Sequence, residues 1–490
     1  MPRLFRYVFL ALSLSSLFTC EIVKAQRELT LDECLKIAYD QAPTLMQAKR
    51  NYDIASANAE AASRSLRSRV DLNISAPIYT DNTTPIYNPV TGTTDLLRQH
   101  ESLFGGGLTI SQPIFWTGGS ISFTGNVYHR SQFGSSNTSQ NDFLGLGSFE
   151  INQPIFKANE LRMTERLAEI DRDLAMWAFI AAKAAITFRV KSQFYALYQS
   201  QEELKIQQDE ITKSQANVEL ADNKFKAGLI AEVDALQLEV DLANAETDLF
   251  DKQRRLLGSK RDLLTTIGIP MSGAVVAHLD SMREVAFTID PELAVRKAIA
   301  NREEVMSAQY AIEREEIAVA RLANTRSVNA SLVGTFGATQ NAGTVPLLFE
   351  NPYVNRGVSF NIMVPLFDGG AQSFRMHAAE SSVELSRLTL HVKQQQIEQE
   401  VRSTIEQLEA AKKQVEVAKK SVAVAIKAYD LSHARFDAGK ITSQDLSLAQ
   451  GRLTRAKLSS LNAEVAEQLA LADITQKTLY DFENGRKLGI

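Results

Sequence analysis

Two long stretches of the chain carry an apolar residue at every seventh position. In the first these are Val190, Leu197, Leu204, Ile211, Val218 and Phe225, and in the second Val401, Leu408, Val415, Val422, Tyr429 and Phe436. A sustained seven-residue period between proline-free, mostly polar positions predicts long helices in coiled-coil contact with neighbours. Helices are expected over 30–69, 157–226, 231–267, 290–326, 370–438 and 442–480. Thr30 with Glu33 fits a capping box, and Asp290 before Pro291 fits an N-cap with proline at the first helical position. The two longest helices, of about 70 residues, would each span about 105 Å. No compact domain needs such rods.

The remaining apolar residues alternate with period two: Leu72, Ile74, Ala76, Ile78; Leu108, Ile110, Ile114; Ile121, Phe123, Val127; Val328, Ala330, Leu332, Phe336; Val358, Phe360, Ile362, Val364, Leu366. Asn, Ser and Thr lie between them, so one face is greasy and the other polar. Two readings fit: an antiparallel sheet packed on a soluble core, or a barrel with lipid outside and water inside. Segment lengths of about 10 residues and an uncharged apolar face favour the barrel. The polar stretches 80–103, 131–142 and 337–355 are expected as exposed loops. Four strands are expected in the first half (70–156) and two in the second (328–367). Strands in lipid must close, and the smallest usual membrane barrels have about eight strands. One chain has too few, so several must share a barrel.

The chain also reads as a duplication. Pro154 and Phe156 match Pro365 and Phe367 at an offset of 211, and Phe225, Ala227, Gly228, Ile230 and Asp234 match Phe436, Ala438, Gly439, Ile441 and Asp445 at the same offset. Upstream, Ala38, Leu45, Met46 and Ala48 match Ala298, Val305, Met306 and Ala308 at 260, so the first half carries 49 extra residues before its long helix. Gln112-Pro113-Ile114-Phe115 recurs at 153–156, which points to an inserted strand hairpin. Pro154 and Pro365 mark the expected strand-to-helix switch. The organisation is then a first repeat over 26–267, a linker over 268–289 halfway along the long helices, and a second repeat over 290–490.

Composition narrows the class. Of 490 residues, 44% are hydrophobic and 23% charged, which excludes disorder. A net charge of -5 gives no general attraction for nucleic acid. Residues 1–25 read as an export signal, with Arg3 and Arg6 before an apolar stretch from Tyr7 to Phe18. A second reading cleaves before Cys20 and lipidates it, against which stands the large Thr19. No run of 18 apolar residues occurs in the remainder, so a membrane would be crossed by strands. The histidines form no His-x-x-x-His or His-Glu-x-x-His pair, and Gly105-Gly106-Gly107 lacks the Lys-Ser/Thr of a phosphate loop. No catalytic residue, metal or cofactor is expected, and Cys34 reads as a small core thiol.

Together these marks resemble the TolC-like outer membrane efflux family. The carriers are Leu29-Thr30-Leu31-Asp32-Glu33-Cys34-Leu35, the Pro-(Ile/Leu)-Phe marks with Asp368-Gly369-Gly370 after the second, and the two Phe-x-Ala-Gly turns, in order over about 29–484. The resemblance implies a mixed fold closed only as a homotrimer: a membrane β-barrel continued by a long α-helical coiled-coil barrel, from an internally duplicated strand-strand-helix-helix unit. It implies a passive outer-membrane exit duct, reaching into the periplasm and docked through a periplasmic adaptor to an inner-membrane transporter, as in tripartite efflux or type I secretion. Its partners would be its own copies, those proteins and outer-membrane lipid, with no nucleic acid. The adaptor-docking tips would be Gly228, Leu229, Ile230, Gly439, Lys440 and Ile441. The pore gate would involve Asp445 and Asp234, whose copies in a trimer form rings favouring cations. Both acids also suit a helix start, and Thr442 with Asp445 fits a capping box, so gate and cap both stand as readings. Some members have tyrosine and arginine latches where this chain has Phe436 and Ile441, so closure would rest on apolar packing. The inserted hairpin leaves 12 or 18 strands open for the trimer. The alternatives are a periplasm-spanning coiled-coil protein with a non-conducting sheet, and an enzyme with an acid, base or metal cluster in the lumen.

Overall fold

The computed structural model describes residues 27–134, 139–270, 275–279, 282, 285–326 and 328–488. The expected export signal over 1–25, with Cys20, lies outside the described residues. The chain runs through β1 (Arg27–Leu29), α1 (Leu31–Gln41), α2 (Pro43–Arg64), β2 (Arg69–Asn88), β3 (Thr93–Ile114), β4 (Gly119–Gly134) and β5 (Ser139–Ile155) into α3 (Glu160–Lys226) and α4 (Glu232–Ile267). It continues through β6 (Val275–Ala277), α5 (Pro291–Asn301), α6 (Glu303–Arg326), β7 (Asn329–Ala342), a 3-10 turn (Pro346–Phe349) and β8 (Tyr353–Met363). It ends with α7 (Ala371–Asp437), α8 (Ser443–Thr478), β9 (Tyr480–Asp481) and β10 (Arg486–Lys487). Helices α3 and α7 each hold 67 residues, about 100 Å of rod.

Several expected elements are corrected. The helix read over 30–69 is two, because Pro43 forces Ala42 into an extended conformation (ψ 120°); it also stops at Arg64, and β2 begins at Arg69. The helix read over 290–326 breaks likewise at Arg302 (ψ 137°), whose guanidinium pairs with Glu400 at 2.5 Å. Ala42 and Arg302 each donate their backbone N–H to the carbonyl four residues back, Ala38 and Ala298, at 2.9 Å. Pro154 lies inside β5, opposite Ser331, and Pro365 lies just past β8, so neither makes the switch itself. In the first half the chain turns at Phe156 (φ 60°) and Asn159 caps α3. In the second it turns at Gly369-Gly370, and Asp368 accepts from the N–H groups of Gly370 and Gln372.

The sheet is a six-stranded antiparallel meander in the order β2-β3-β4-β5-β7-β8. Its strands outlast the expected segments: the stretches read as loops over 80–103 and 131–142 are largely ladder, with the first turn confined to 89–92, whereas 337–355 keeps a connection over 343–352. Their polar composition does not mark the end of backbone pairing. Register separates the two faces. Leu72, Leu108, Gly125, Gly147, Ala338 and Val354 stand in one row, and the adjacent row reads Asp71, Thr109, Thr124, Ser148, Gly337, Asn355. Successive residues point to opposite sides, so the first row and its neighbours two residues away form a continuous apolar face. Many of its side chains are exposed, Ile74 by 73% and Val358 by 80%. The face is not wholly uncharged: Arg356 ends the row Val70, Ile110, Phe123, Phe149, Phe336. Among the described residues, strands β2 and β8 each keep one edge unpaired.

The chain divides into two compact units, and the division does not fall at the expected linker, 268–289. Each unit draws on both halves of the sequence, because α3 and α7 run through the boundary. One unit contains the sheet with Arg50–Trp177 and Glu303–Lys393. There Arg166 on α3 holds Glu313 on α6 through Nε and Nη2, at 2.6 and 3.0 Å. The other unit includes Ala178–Arg302 and Gln394–Ile490. Its main core packs Cys34, Ala38 and Leu45 against Val190, Phe194, Leu197, Leu263 and Ile267. Within the linker, β6 pairs in parallel with β1. Among the described residues no helix is long and apolar enough to cross a membrane.

Candidate functional site

The two helical turns are built alike. After α3, Gly228 N–H bonds to Phe225 O and Leu229 N–H to Lys224 O, both at 2.9 Å; after α7, Gly439 bonds to Phe436 O and Lys440 to Arg435 O at the same distance. Both glycines have φ +69°. This paired bonding around a left-handed residue is how a helix satisfies its last carbonyls in a tight reversal, and any side chain there is strained. Leu229 is 72% exposed, and Lys440 is exposed. The turns therefore present backbone, small or apolar side chains and one lysine each, Lys226 and Lys440, outward.

Beneath them lies a residue that sequence reasoning missed. Lys224 is buried on α3 and reaches α7, where its Nζ donates to the carbonyls of Phe436 at 2.8 Å and Asp437 at 2.6 Å. Its ammonium also lies 5.3 Å from the centre of the Phe436 ring. A cation on the last carbonyls of a helix satisfies orphan acceptors and complements the dipole. The only available signal was its equivalence to Arg435 at the 211-residue offset, which says nothing of burial.

The acidic candidates occupy different settings. Asp445 is exposed, and its carboxylate accepts from Thr442 N at 3.2 Å and Thr442 Oγ1 at 2.9 Å, completing the capping box of α8. Asp234 instead accepts from Ser443 Oγ on α8 at 2.8 Å, tying α4 to α8. Phe436 is 1% exposed and packs with Ala221, Leu238, Tyr429 and Leu446. It is a core residue of its own chain, which corrects its reading as a closing surface. Ile441 is half-buried and, with Asp445, Leu448, Val424 and Arg452, lines a groove of about 1010 Å³ between α7 and α8.

From Ser443 a polar stripe runs up α8. Ser447 Oγ donates to Asp241 at 2.5 Å, Gln450 Nε2 to Ser214 Oγ at 2.7 Å, and Lys457 Nζ to Asp209 at 2.6 Å, while Asn217 donates to Gln450 at 2.7 Å. These α8 positions, spaced by four, three and seven residues, share one helical face. Burial works to raise the Asp209 carboxyl, but the bonds from Lys213 and Lys457 outweigh it and hold the group below its ordinary range. Glu210 goes the other way: burial raises it, opposed by a hydrogen bond with Thr454 and reinforced by the charges of Asp248 and Asp209. The arrangement ties α8 to α3 and α4 through bonds that break singly. Among the described residues no group of three or more His, Cys, Asp or Glu side chains is placed to hold a metal ion.

No curated protein sequence matches the chain. Among solved structures, the CmeC outer membrane channel of Campylobacter jejuni is 14% identical, with a TM-score of 0.67, over 91% of this chain and 85% of that one. The outer membrane protein VceC of Vibrio cholerae is 15% identical with a TM-score of 0.66, over 91% and 95%. The open-state MtrE outer membrane channel of Neisseria gonorrhoeae is 14% identical with a TM-score of 0.65, over 91% and 88%. At such identity the likeness is one of fold. The family model for outer membrane efflux proteins matches residues 118–268 and 294–478. That is most of the chain, which therefore belongs to the TolC-like outer membrane efflux protein family.

Proposed function

We propose that the protein is the passive exit duct of a tripartite efflux or type I secretion system, working as a homotrimer docked through a periplasmic adaptor to an inner-membrane transporter. The carrying observation is the sheet: six strands, one apolar face, one polar face, and two edges left unpaired within the chain. An edge in lipid costs several kcal/mol for each unsatisfied backbone group. Pairing β2 of one copy with β8 of the next removes both edges, and three copies make 18 strands. Since barrel diameter grows roughly linearly with strand number, the mouth would be about 1.5 times as wide as that of a 12-stranded barrel. Internal duplication supports the design. The helix breaks at Ala42 and Arg302 stand 260 residues apart, and the tip glycines with identical φ stand 211 apart.

The turns at Gly228–Ile230 and Gly439–Ile441 serve as the adaptor-docking tips. Asp445, exposed beside Ile441 in its groove, is the better gate candidate; Asp234 already holds Ser443. Three copies of Asp445 around an axis would favour cations. Planar-bilayer recordings of the purified protein test both levels. Asp445→Ala is expected to lower cation preference and raise conductance; unaltered currents would remove Asp445 from the gate. No conductance in any form would favour the non-conducting scaffold.

A further inference from the structure

The segment between β7 and β8 does not project away from the sheet but folds back over its apolar side. Leu348, in the 3-10 turn, is only 4% exposed. It covers Gly145 on β5, where an added Cβ would meet the Leu348 side chain at 3.4 Å. Gly145 stands on the same face as Gly147 and Phe149, the apolar one. The segment is pinned a second time by Gln340, whose Nε2 donates to Glu350 O at 2.9 Å and Asn351 O at 3.4 Å. Pinned in this way, it leaves Val345, Leu347 and Phe349 exposed, Phe349 by 76%.

We infer that this segment is a membrane-interface anchor, seated in the lipid of the outer leaflet with Leu347 and Phe349 among acyl chains. The inference rests on the barrel reading. Height supports it: Gly145 is ten residues along β5 from Ile155, and at about 3.3 Å per residue with a tilt of roughly 40° this is a rise of about 25 Å, the height of the apolar band of such barrels. The turn thus lies at the outer margin of the band and is continuous with it. A neighbouring copy is a poor occupant, because copies join at β2 and β8, whereas Leu348 sits on β5, two strands in from the β8 edge. Apolar and aromatic side chains at that depth bury area in lipid while Gln340 satisfies the carbonyls of Glu350 and Asn351.

The test uses the full-length protein in phosphatidylcholine vesicles with and without bromine on the acyl chains, after replacing Trp116 and Trp177 by Phe. Single tryptophans are then introduced as Phe349→Trp, Val358→Trp in the middle of β8, and Val90→Trp at the β2–β3 turn. Expected is strong quenching at 358, none at 90, and blue-shifted, partly quenched emission at 349. Adding Gly145→Leu, which removes the room for Leu348, is expected to move the 349 signal toward that of 90. Emission at 349 like that at 90, or blue-shifted emission that bromolipid leaves unquenched, overturns the anchor. An unquenched 358 overturns the barrel reading instead.

Discussion

At the scale of single residues, buried polar groups decide more than the exposed acids that the sequence advertises. Lys224 is the clearest case: its ammonium serves the Asp437 carbonyl of α7 and shares that of Phe436 with the Gly439 N–H. Lys224→Met keeps the stem and removes the charge, and should cost about 1–3 kcal/mol, the usual penalty for orphaned buried groups; chemical denaturation of the protein in detergent would measure it. Glu210 makes a prediction with a sign. Its carboxyl is raised in the folded protein by burial, so ionising it opposes folding once the pH exceeds the ordinary carboxylate range. Below that range both states are protonated and the penalty vanishes. Glu210→Gln should therefore raise Tm at neutral pH, with the gain shrinking as pH falls toward that range. Asp209, held low, behaves oppositely and contributes stability that is lost on acidification. Neither environment could be read from the sequence, because Glu210 and Thr454 are far apart in the chain and meet only when α3 and α8 pack.

At the scale of elements, the seven-residue period was the most legible signal. It located α3 and α7 because a buried seam repeats once per two turns, and Val401, Leu408, Val415, Tyr429 and Phe436 are indeed buried in α7. The outer halves of the strands were illegible for the opposite reason: with polar residues on both faces, nothing in the side-chain pattern reports the backbone ladder that continues there. The break at Pro43 was legible in principle and its partner at Arg302 was not, since no proline marks it. The polar stripe on α8 was likewise hidden, because Ser443, Ser447 and Gln450 look like solvent positions until their partners are known. Replacing Ser443 and Ser447 together by alanine releases Asp234 and Asp241. Hydrogen exchange in the first three turns of α8 should then accelerate while exchange in α5 stays unchanged.

At the scale of the whole molecule, the repeat of Gln-Pro-Ile-Phe offers a direct handle on barrel size. Excising residues 116–156 joins Phe115 to Lys157 and leaves β2, β3, β7 and β8, with equivalent residues at the junction. If three six-stranded sheets form one barrel, the trimmed protein should keep its trimeric mass while its barrel narrows by about a third, to 12 strands, as seen by electron microscopy of particles in lipid. An unchanged diameter would mean that the extra hairpin lies outside the ring. The combination of long helices with an antiparallel sheet was legible from the order of heptad and alternating segments. The placement of all six strands in one sheet was not, because registry between β5 and β7 joins residues more than 170 positions apart.

The unpaired borders of the sheet have a consequence for how the cell makes this protein. Every side chain of β8 from Tyr353 to Met363 is exposed in the lone chain, and the backbone beside it offers a free template for any extended polypeptide. If copies join edge to edge as proposed, a copy that has not met its siblings is a seed for cross-β growth. The interval before assembly would then have to be short or guarded by a holdase, and overproduction that outruns that guard should yield fibrous deposits rather than soluble monomer.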